Sequence, residues 1–341
     1  MLILEDEAVP PTADGDPGDG VGSTRSRPRW KPGWLTIAIT VLGLGGLGAG
    51  LYPMTAAWVS SYNQSQVIED YGSDVKTVHP GAREQLDAAR DYNDALTAGA
   101  VVLGENANIP VGEGTLTDDS LDYDRILNAN AEGLMARVKI PSIDVDLPVF
   151  HGTSDAVLTR GAGHLEGSHL PIGGDGTRSV ITAHRGLANA TMFTDLDKVE
   201  TGDLIVVEVF GEVLAYRVRD IEVIEPQANG TIRPEEGADL LTLITCTPLG
   251  INTHRIVVTA ERVTPVPAAE EASAGAPPTI PGFPWWAVLG GAGLLLIAGY
   301  LTTQGFRDAR APQSSDPSEL TDSRTDDRLH DESVGLGGSN E

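Results

Sequence analysis

Two uncharged, glycine-rich apolar stretches bracket most of this chain, and they limit its folding more than any other feature. The first is "WLTIAITVLGLGGLGAGLY", from Trp34 to Tyr52, and the second is "WWAVLGGAGLLLIAGYL", from Trp285 to Leu301. Each is near the roughly 17–25 residues that an α-helix needs to cross a hydrocarbon core. Glycine weakens helices in water, but in lipid it lets neighbouring helices approach closely. Trp34, Trp285, Trp286 and Tyr300 stand at the ends, where aromatic rings settle at the membrane–water boundary. Arg25, Arg27, Arg29 and Lys31 precede the first stretch, and Arg307 and Arg310 follow the second. Basic flanks stay on the cytoplasmic side, so both termini are expected there and residues 55–284 outside. A cleaved signal peptide is the competing reading of the first stretch, because "MTAAW" loosely imitates a processing site. The second stretch would still hold the intervening residues outside.

Composition then divides the chain. Residues 1–33 are rich in Asp, Gly and Pro and then Arg, too poor in apolar side chains to pack, and are expected to be a disordered cytoplasmic tail. A membrane helix over 34–54 follows, then a partly helical extension over 55–133. Within the extension, "PGAREQLDAARDYNDALTAG" opens on Pro80, uses good helix formers and closes on Gly99, with Leu86, Ala89, Asn93 and Leu96 on one face. The run "LDYDRILNAN" suggests a second short helix. Residues 265–284 are a Pro/Ala-rich, semi-extended spacer, 285–303 the second membrane helix, and 304–341 an acidic cytoplasmic tail. A formal charge of -26 argues against a nucleic-acid partner, since phosphate binding needs clustered Lys and Arg.

Over residues 134–264 the pattern changes. Seven Val/Ile-rich runs recur between turn signals: "LMARVKI", "VDLPVF", "RSVITAH", "DLIVVEVF", "VLAYRVRDIEVI", "LLTLITC" and "HRIVVTAERV". Many alternate, as in Val213, Ala215 and Arg217 against Leu214, Tyr216 and Val218. Strands at this spacing predict a mainly β domain, a sandwich or barrel, with helix confined to connections such as "TMFTDLDKV".

The single cysteine, Cys246, ends one of those runs. It cannot form an internal disulfide, and an unpaired thiol outside the cell is open to oxidation, which raises the case for a reactive role. A thiolate is the nucleophile, and a nearby imidazole or cation is the usual means of generating it. His79, His151, His164, His169, His184 and His254 are the external histidines. His184 ends "RSVITAH" as Cys246 ends "LLTLITC", so two strand ends on one rim could bring them together. Arg255 opens the next strand after the turn "TPLGINT" and returns beside Cys246. The three supply a nucleophile, an acid/base and a cation for a developing oxyanion. His254 is the local alternative, but it faces away from Arg255 along the strand. Arg185 is expected to point away from the thiol, and Thr242 and Thr245 to be ordinary strand residues. His164 and His169, with Glu166, have the look of metal ligands. A loop with turn and capping roles is the simpler reading, since no third ligand is clearly placed.

At these residues the chain resembles the sortases, cysteine transpeptidases of Gram-positive cell surfaces. "TLITC" matches their TLxTC signature, with Arg255 downstream and His184 upstream in "TAHRG". The stretches "IPSIDVDLPVFHGTSDAVLTRGAGHLEGSHLPIGG", "HRGLANATMFTDLDKV" and "TCTPLGINTHR" look most like class C, the pilus-polymerising branch. The helical extension and the second membrane span agree with it. The resemblance implies an eight-stranded sortase β-barrel over 134–264 and catalysis by His184, Cys246 and Arg255. It implies that Cys246 attacks the Thr–Gly carbonyl of an LPxTG-like sorting signal on a surface protein or pilin. His184 then acts as acid/base, and Arg255 supports the oxyanion. The acceptor implied is a lysine amine of another pilin subunit; the alternative is an amine of a peptidoglycan precursor, as in a housekeeping sortase. No metal or organic cofactor is implied. A membrane-tethered binding module with a buried Cys246 is the non-enzymatic rival. In one place the chain departs from class C. The stretch where a lid is expected, "GAVVLGENANIPVGEG" followed by "TLTDDSLDY", lacks the Asp-Pro-aromatic triplet such lids carry.

Overall fold

The computed structural model of the protein describes residues 30–98, 121–188, 190–226, 232–278 and 280–309. The terminal tails over 1–29 and 310–341 and the expected lid stretch over 99–120 lie outside them. The chain divides into two compact units, residues 1–44 with 294–341, and residues 45–293.

The first apolar stretch opens helix α1, which runs Trp34–Thr77, well past the expected end of the span. The second lies in helix α5, Trp285–Asp308. Both are long and apolar enough to cross a membrane. In the first unit, the Gly33 amide and the Thr36 hydroxyl both donate to Asp308 Oδ2 at 2.8 Å. That carboxylate thereby satisfies a donor at the start of α1 that the helix itself cannot.

The second unit is built on eight strands: β1 Leu134–Ile140, β2 Val145–His151, β3 Ala162–His164, β4 Thr177–Thr182, β5 Leu204–Val209, β6 Glu212–Ile224, β7 Asp239–Thr247 and β8 His254–Val263. They close in the order β1-β2-β3-β4-β7-β8-β6-β5, and β1 pairs with β5 to complete the barrel. Closure leaves no sheet edge to template aggregation. Seven of the strands are the expected runs; β3 is the eighth. It is three residues long, and its glycine is required. A Cβ on Gly163 would lie 2.2 Å from the Gly152 carbonyl oxygen, so only glycine lets β3 lie against β2. Two pairings are parallel, β2 with β3 and β4 with β7. The second has a functional consequence, because parallel neighbours end on the same rim.

The alternation in β6 sorts only in part: Leu214, Tyr216 and Val218 are buried and Arg217 is exposed, but on Arg217's face Ala215 is buried and Val213 half-buried. The core also takes in Phe150, Phe193 and Ile181, all at most 1% exposed. Burying side chains of this size stabilises by about 1.5–3 kcal/mol each.

Two elements outside the barrel pack onto it. Helix α2, Ala82–Thr97, starts at Gly81, whose amide is capped by the Glu84 carboxylate at 3.1 Å. Its buried face includes the expected Leu86, Ala89, Asn93 and Leu96, joined by Gln85 and Tyr92. Asn93 pairs with both backbone groups of Leu170, at 2.7 and 3.1 Å. The part of α1 beyond the span presents Gln64, Ser65, Ile68 and Tyr71 to the barrel at helical spacing. Tyr71 Oη donates to the Met135 carbonyl at 3.0 Å and accepts from the Phe210 amide at 2.9 Å. The run "LDYDRILNAN" forms only a single 3-10 turn, Tyr123–Arg125. Leu127 then takes a positive φ of 55° and gives its amide to Gln85 Oε1 at 2.8 Å, which ends any helix there. Short helices α3, Asp155–Leu158, and α4, Ala268–Ala272, complete the unit. Beyond α4 the chain stays on the barrel, where Arg137 Nη1 donates to the Ala276 carbonyl at 2.8 Å.

Candidate active site

The site follows from two registers. In the antiparallel β7–β8 pair, Cys246 lies directly opposite Arg255, so both side chains leave the same face. In the parallel β4–β7 pair, Thr182 is aligned with Ile244. Two residues on in each chain come His184 and Cys246, in phase on that face. The last backbone bond between these strands runs from the Ala183 amide to the Ile244 carbonyl, 3.3 Å.

His184, Cys246 and Arg255, all half-buried, line one cavity of about 260 Å³. Much of its wall is aliphatic, from Leu158, Leu165, Ile224, Pro226, Ile232 and Ile244. Leu165, Ile232 and Val180 form a small separate apolar cluster with Ile244 packed on it, which braces that wall. Such a pocket joins an apolar seat for a side chain to a polar end where chemistry can occur.

Arg255 Nη1 donates to the carbonyls of Asn252 and His254, both at 3.0 Å, which ties the guanidinium to the β7–β8 turn. Among the described residues it has no carboxylate partner, so its charge remains available to an anion in the cavity. No hydrogen bond joins Cys246 to His184 among the described residues. Such contacts are often long before substrate enters.

The other candidate histidines are used elsewhere. His254 is exposed, opposite Thr247, with Nδ1 2.9 Å from Thr253 Oγ1. His151 places its two ring nitrogens on the carbonyls of Gly133 and Ile126, at 2.9 and 2.8 Å. His164 is fully buried, with Nε2 2.8 Å from the His169 carbonyl and Nδ1 2.9 Å from Tyr123 Oη. The carbonyl can only accept, so Nε2 carries the proton, and the Tyr123 hydroxyl proton is shared between Nδ1 and the His164 carbonyl, 3.0 Å away. Burial pushes this imidazole down to about 3. His169 is likewise lowered by burial; its Nε2 meets Thr97 Oγ1 at 2.9 Å and its Nδ1 accepts from the Arg178 amide at 3.2 Å. The loop of His164 and His169 is therefore hydrogen-bonded packing beneath α2.

The threonines of "TLITC" do more than fill a strand. Thr245 Oγ1 donates to the Ala183 carbonyl at 2.8 Å, across to the segment that carries His184. Thr242 Oγ1 accepts from Arg178 Nη1 at 2.8 Å. Arg178 is almost wholly buried, and its Nη2 reaches Glu235 at 2.9 Å. Arg219 holds the same carboxylate at 2.7 Å. Glu235 thus anchors the stretch leading into β7, which supplies Ile232 to the cavity. Arg178 and Glu235 were not singled out by the sequence; a lone arginine within the apolar strand run "RSVIT" was the one available signal. Arg185 does turn from the thiol, as expected, and is buried among polar partners.

Comparison with known proteins places this arrangement. A family model described as "Sortase domain" matches residues 138–263. The chain is similar to sortase C1 from Streptococcus agalactiae, 36% identical, covering 59% of this chain and 100% of that one, with a TM-score of 0.52. It is also similar to a mutant of sortase C-1 from S. pneumoniae, 40% identical over 59% of this chain and 99% of that one, TM-score 0.50. Among curated proteins, Sortase A of Streptococcus agalactiae serotype III (strain NEM316) is 27% identical over 149 residues, 42% of this chain. That match spans 60% of the relative's length.

Proposed function

The chain belongs to the sortase family, and on that premise we propose that it is a membrane-anchored cysteine transpeptidase joining pilin subunits. The substrate is an LPxTG-like sorting signal on a pilin or surface protein. The Cys246 thiolate attacks the Thr carbonyl, and the oxyanion that forms is met by the Arg255 guanidinium. His184 gives its proton to the departing Gly amine, so the Thr–Gly bond breaks and a thioester remains on Cys246. An incoming lysine amine of another pilin subunit loses a proton to His184 and attacks the thioester. An isopeptide bond forms and the thiolate is released, so the cycle needs no net oxidant or reductant.

The observation that carries this reading is the shared cavity of His184, Cys246 and Arg255, with its aliphatic wall suited to a branched side chain. Kinship with class C enzymes supports the pilin acceptor, as do the docked helices α1 and α2. Two apolar helices support anchoring at both ends. In this reading both termini are cytoplasmic, residues 134–264 are the external catalytic domain, and 265–284 connect it to the second span.

The test incubates the full chain in nanodiscs with an LPxTG-type peptide and, in parallel, a pilin-lysine peptide or a peptidoglycan-type amine. Formation of the lysine-linked product, lost in Cys246→Ala and reduced by several orders of magnitude in His184→Ala and Arg255→Ala, is expected. Exclusive use of the peptidoglycan-type amine would overturn the pilin assignment. An unaffected Cys246→Ala variant would overturn the reaction itself.

A further inference from the structure

We propose that Arg185 is a positioning residue for this reaction, fixing the segment that carries His184 to the strand that carries Cys246. The inference rests on the catalytic reading above. The β4–β7 ladder gives out at the bond from the Ala183 amide to Ile244, one residue before His184. From there the backbone of His184 bonds within its own loop, its carbonyl accepting from the Phe193 amide at 3.0 Å. Two side-chain ties bridge the gap and flank the pair. On one side Thr245 Oγ1 donates to the Ala183 carbonyl at 2.8 Å. On the other, Arg185 Nη1 donates to Thr247 Oγ1 at 2.9 Å. His184 and Cys246 therefore sit between two rungs, at 183–245 and 185–247.

Arg185 uses its remaining nitrogens to brace the loop. Nε donates to the Thr194 carbonyl at 3.0 Å, and Nη2 lies 2.6 Å from Asp197 Oδ2. Its side chain is 7% exposed, so little water competes for these contacts. Three nitrogens of one planar group meet three residues on two segments, the loop and the end of β7, a task a lysine's single ammonium cannot perform. An arginine serving only its loop would be satisfied by Thr194 and Asp197. The arm on Thr247, the residue after Cys246, sets the imidazole against the sulfur. A displacement of about 1 Å between reacting groups costs on the order of 10²-fold in rate.

The test measures peptide cleavage by the full chain in nanodiscs, with rates normalised to folded enzyme by far-UV circular dichroism. Arg185→Met should lower kcat about 10²-fold and Thr247→Val about tenfold, with KM within about twofold, because the ties act on geometry and not on substrate binding. The double variant should be no slower than Arg185→Met, since both remove one tie. Should Arg185→Met not fold, Thr247→Val carries the test alone. Wild-type kcat in Thr247→Val, a KM effect in place of a kcat effect, or losses that multiply in the double variant would overturn the proposal. A Cys246→Ala control that still cleaves would instead refute the catalytic reading, so the two failures are distinct.

Discussion

Acidification should destabilise this barrel through a buried neutral histidine. His164 has no exposed surface, and burial, the largest influence, pushes its pKa down to about 3; the hydrogen bond to the His169 carbonyl opposes this only in part. In the unfolded chain the imidazole returns to roughly 6.5. Between those values the unfolded state holds a proton that the folded state does not, so acid favours unfolding. The stabilisation is complete above pH 6.5 and is lost as pH falls toward 3. One proton gives a slope of about 1.4 kcal/mol per pH unit, hence about 2 kcal/mol lost at pH 5. His169 is lowered too and adds in the same direction. Replacing His164 with Gln isolates its share, since an amide can donate to the His169 carbonyl and accept from Tyr123. The assay is chemical denaturation of the full chain in detergent micelles from pH 7 to 5, above the range where most carboxylates titrate. Far-UV circular dichroism is the suitable probe, because all five tryptophans lie outside the barrel strands. His164→Gln should flatten the slope by about one proton, roughly 1.4 kcal/mol per pH unit, at the acid end. Identical slopes in the two proteins would refute the reasoning.

Two further predictions concern the packing of β3 and the wall of the site. Gly163→Ala should cost at least about 2 kcal/mol in denaturant unfolding, because its methyl would press on the Gly152 backbone, which cannot yield as a side chain can. Glu235→Gln leaves the buried Arg178 without its anion and should cost about 1–3 kcal/mol, moderated because the carboxylate is half exposed. It should also raise KM for the sorting peptide, measured by cleavage kinetics, because the stretch carrying Ile232 loses its anchor.

Seven of the strands were legible because they are long enough to carry a pattern, while closure into a barrel, not a sandwich, came only with the resemblance. β3 was not, since three residues centred on a glycine carry no period; its place is set by contact with Gly152 and by pairing to β2 and β4. The end of α1 was hidden because a polar helix following an apolar one shows no composition break that marks docking. The spacing of Gln64, Ile68 and Tyr71 was the available clue, and two of the three are polar or amphipathic. For the site, strand-end reasoning put His184, Cys246 and Arg255 on one rim, and one cavity is lined by all three, since side chains at the ends of adjacent strands share a rim. The ties among them were not legible. They join residues some sixty positions apart, Arg185 with Thr247 and Arg178 with Thr242, and a single sequence carries no signal for such pairs.

The central claim is that the sulfur, imidazole and guanidinium of one cavity act on one carbonyl. Its most direct measurement is the intact mass of the full chain after brief exposure to an LPxTG-type peptide without added amine. An adduct equal to the peptide acyl portion ending at Thr, mapped to Cys246 and released by hydroxylamine, is the expected result. An unmodified Cys246 in a folded protein, with the peptide intact, would contradict it.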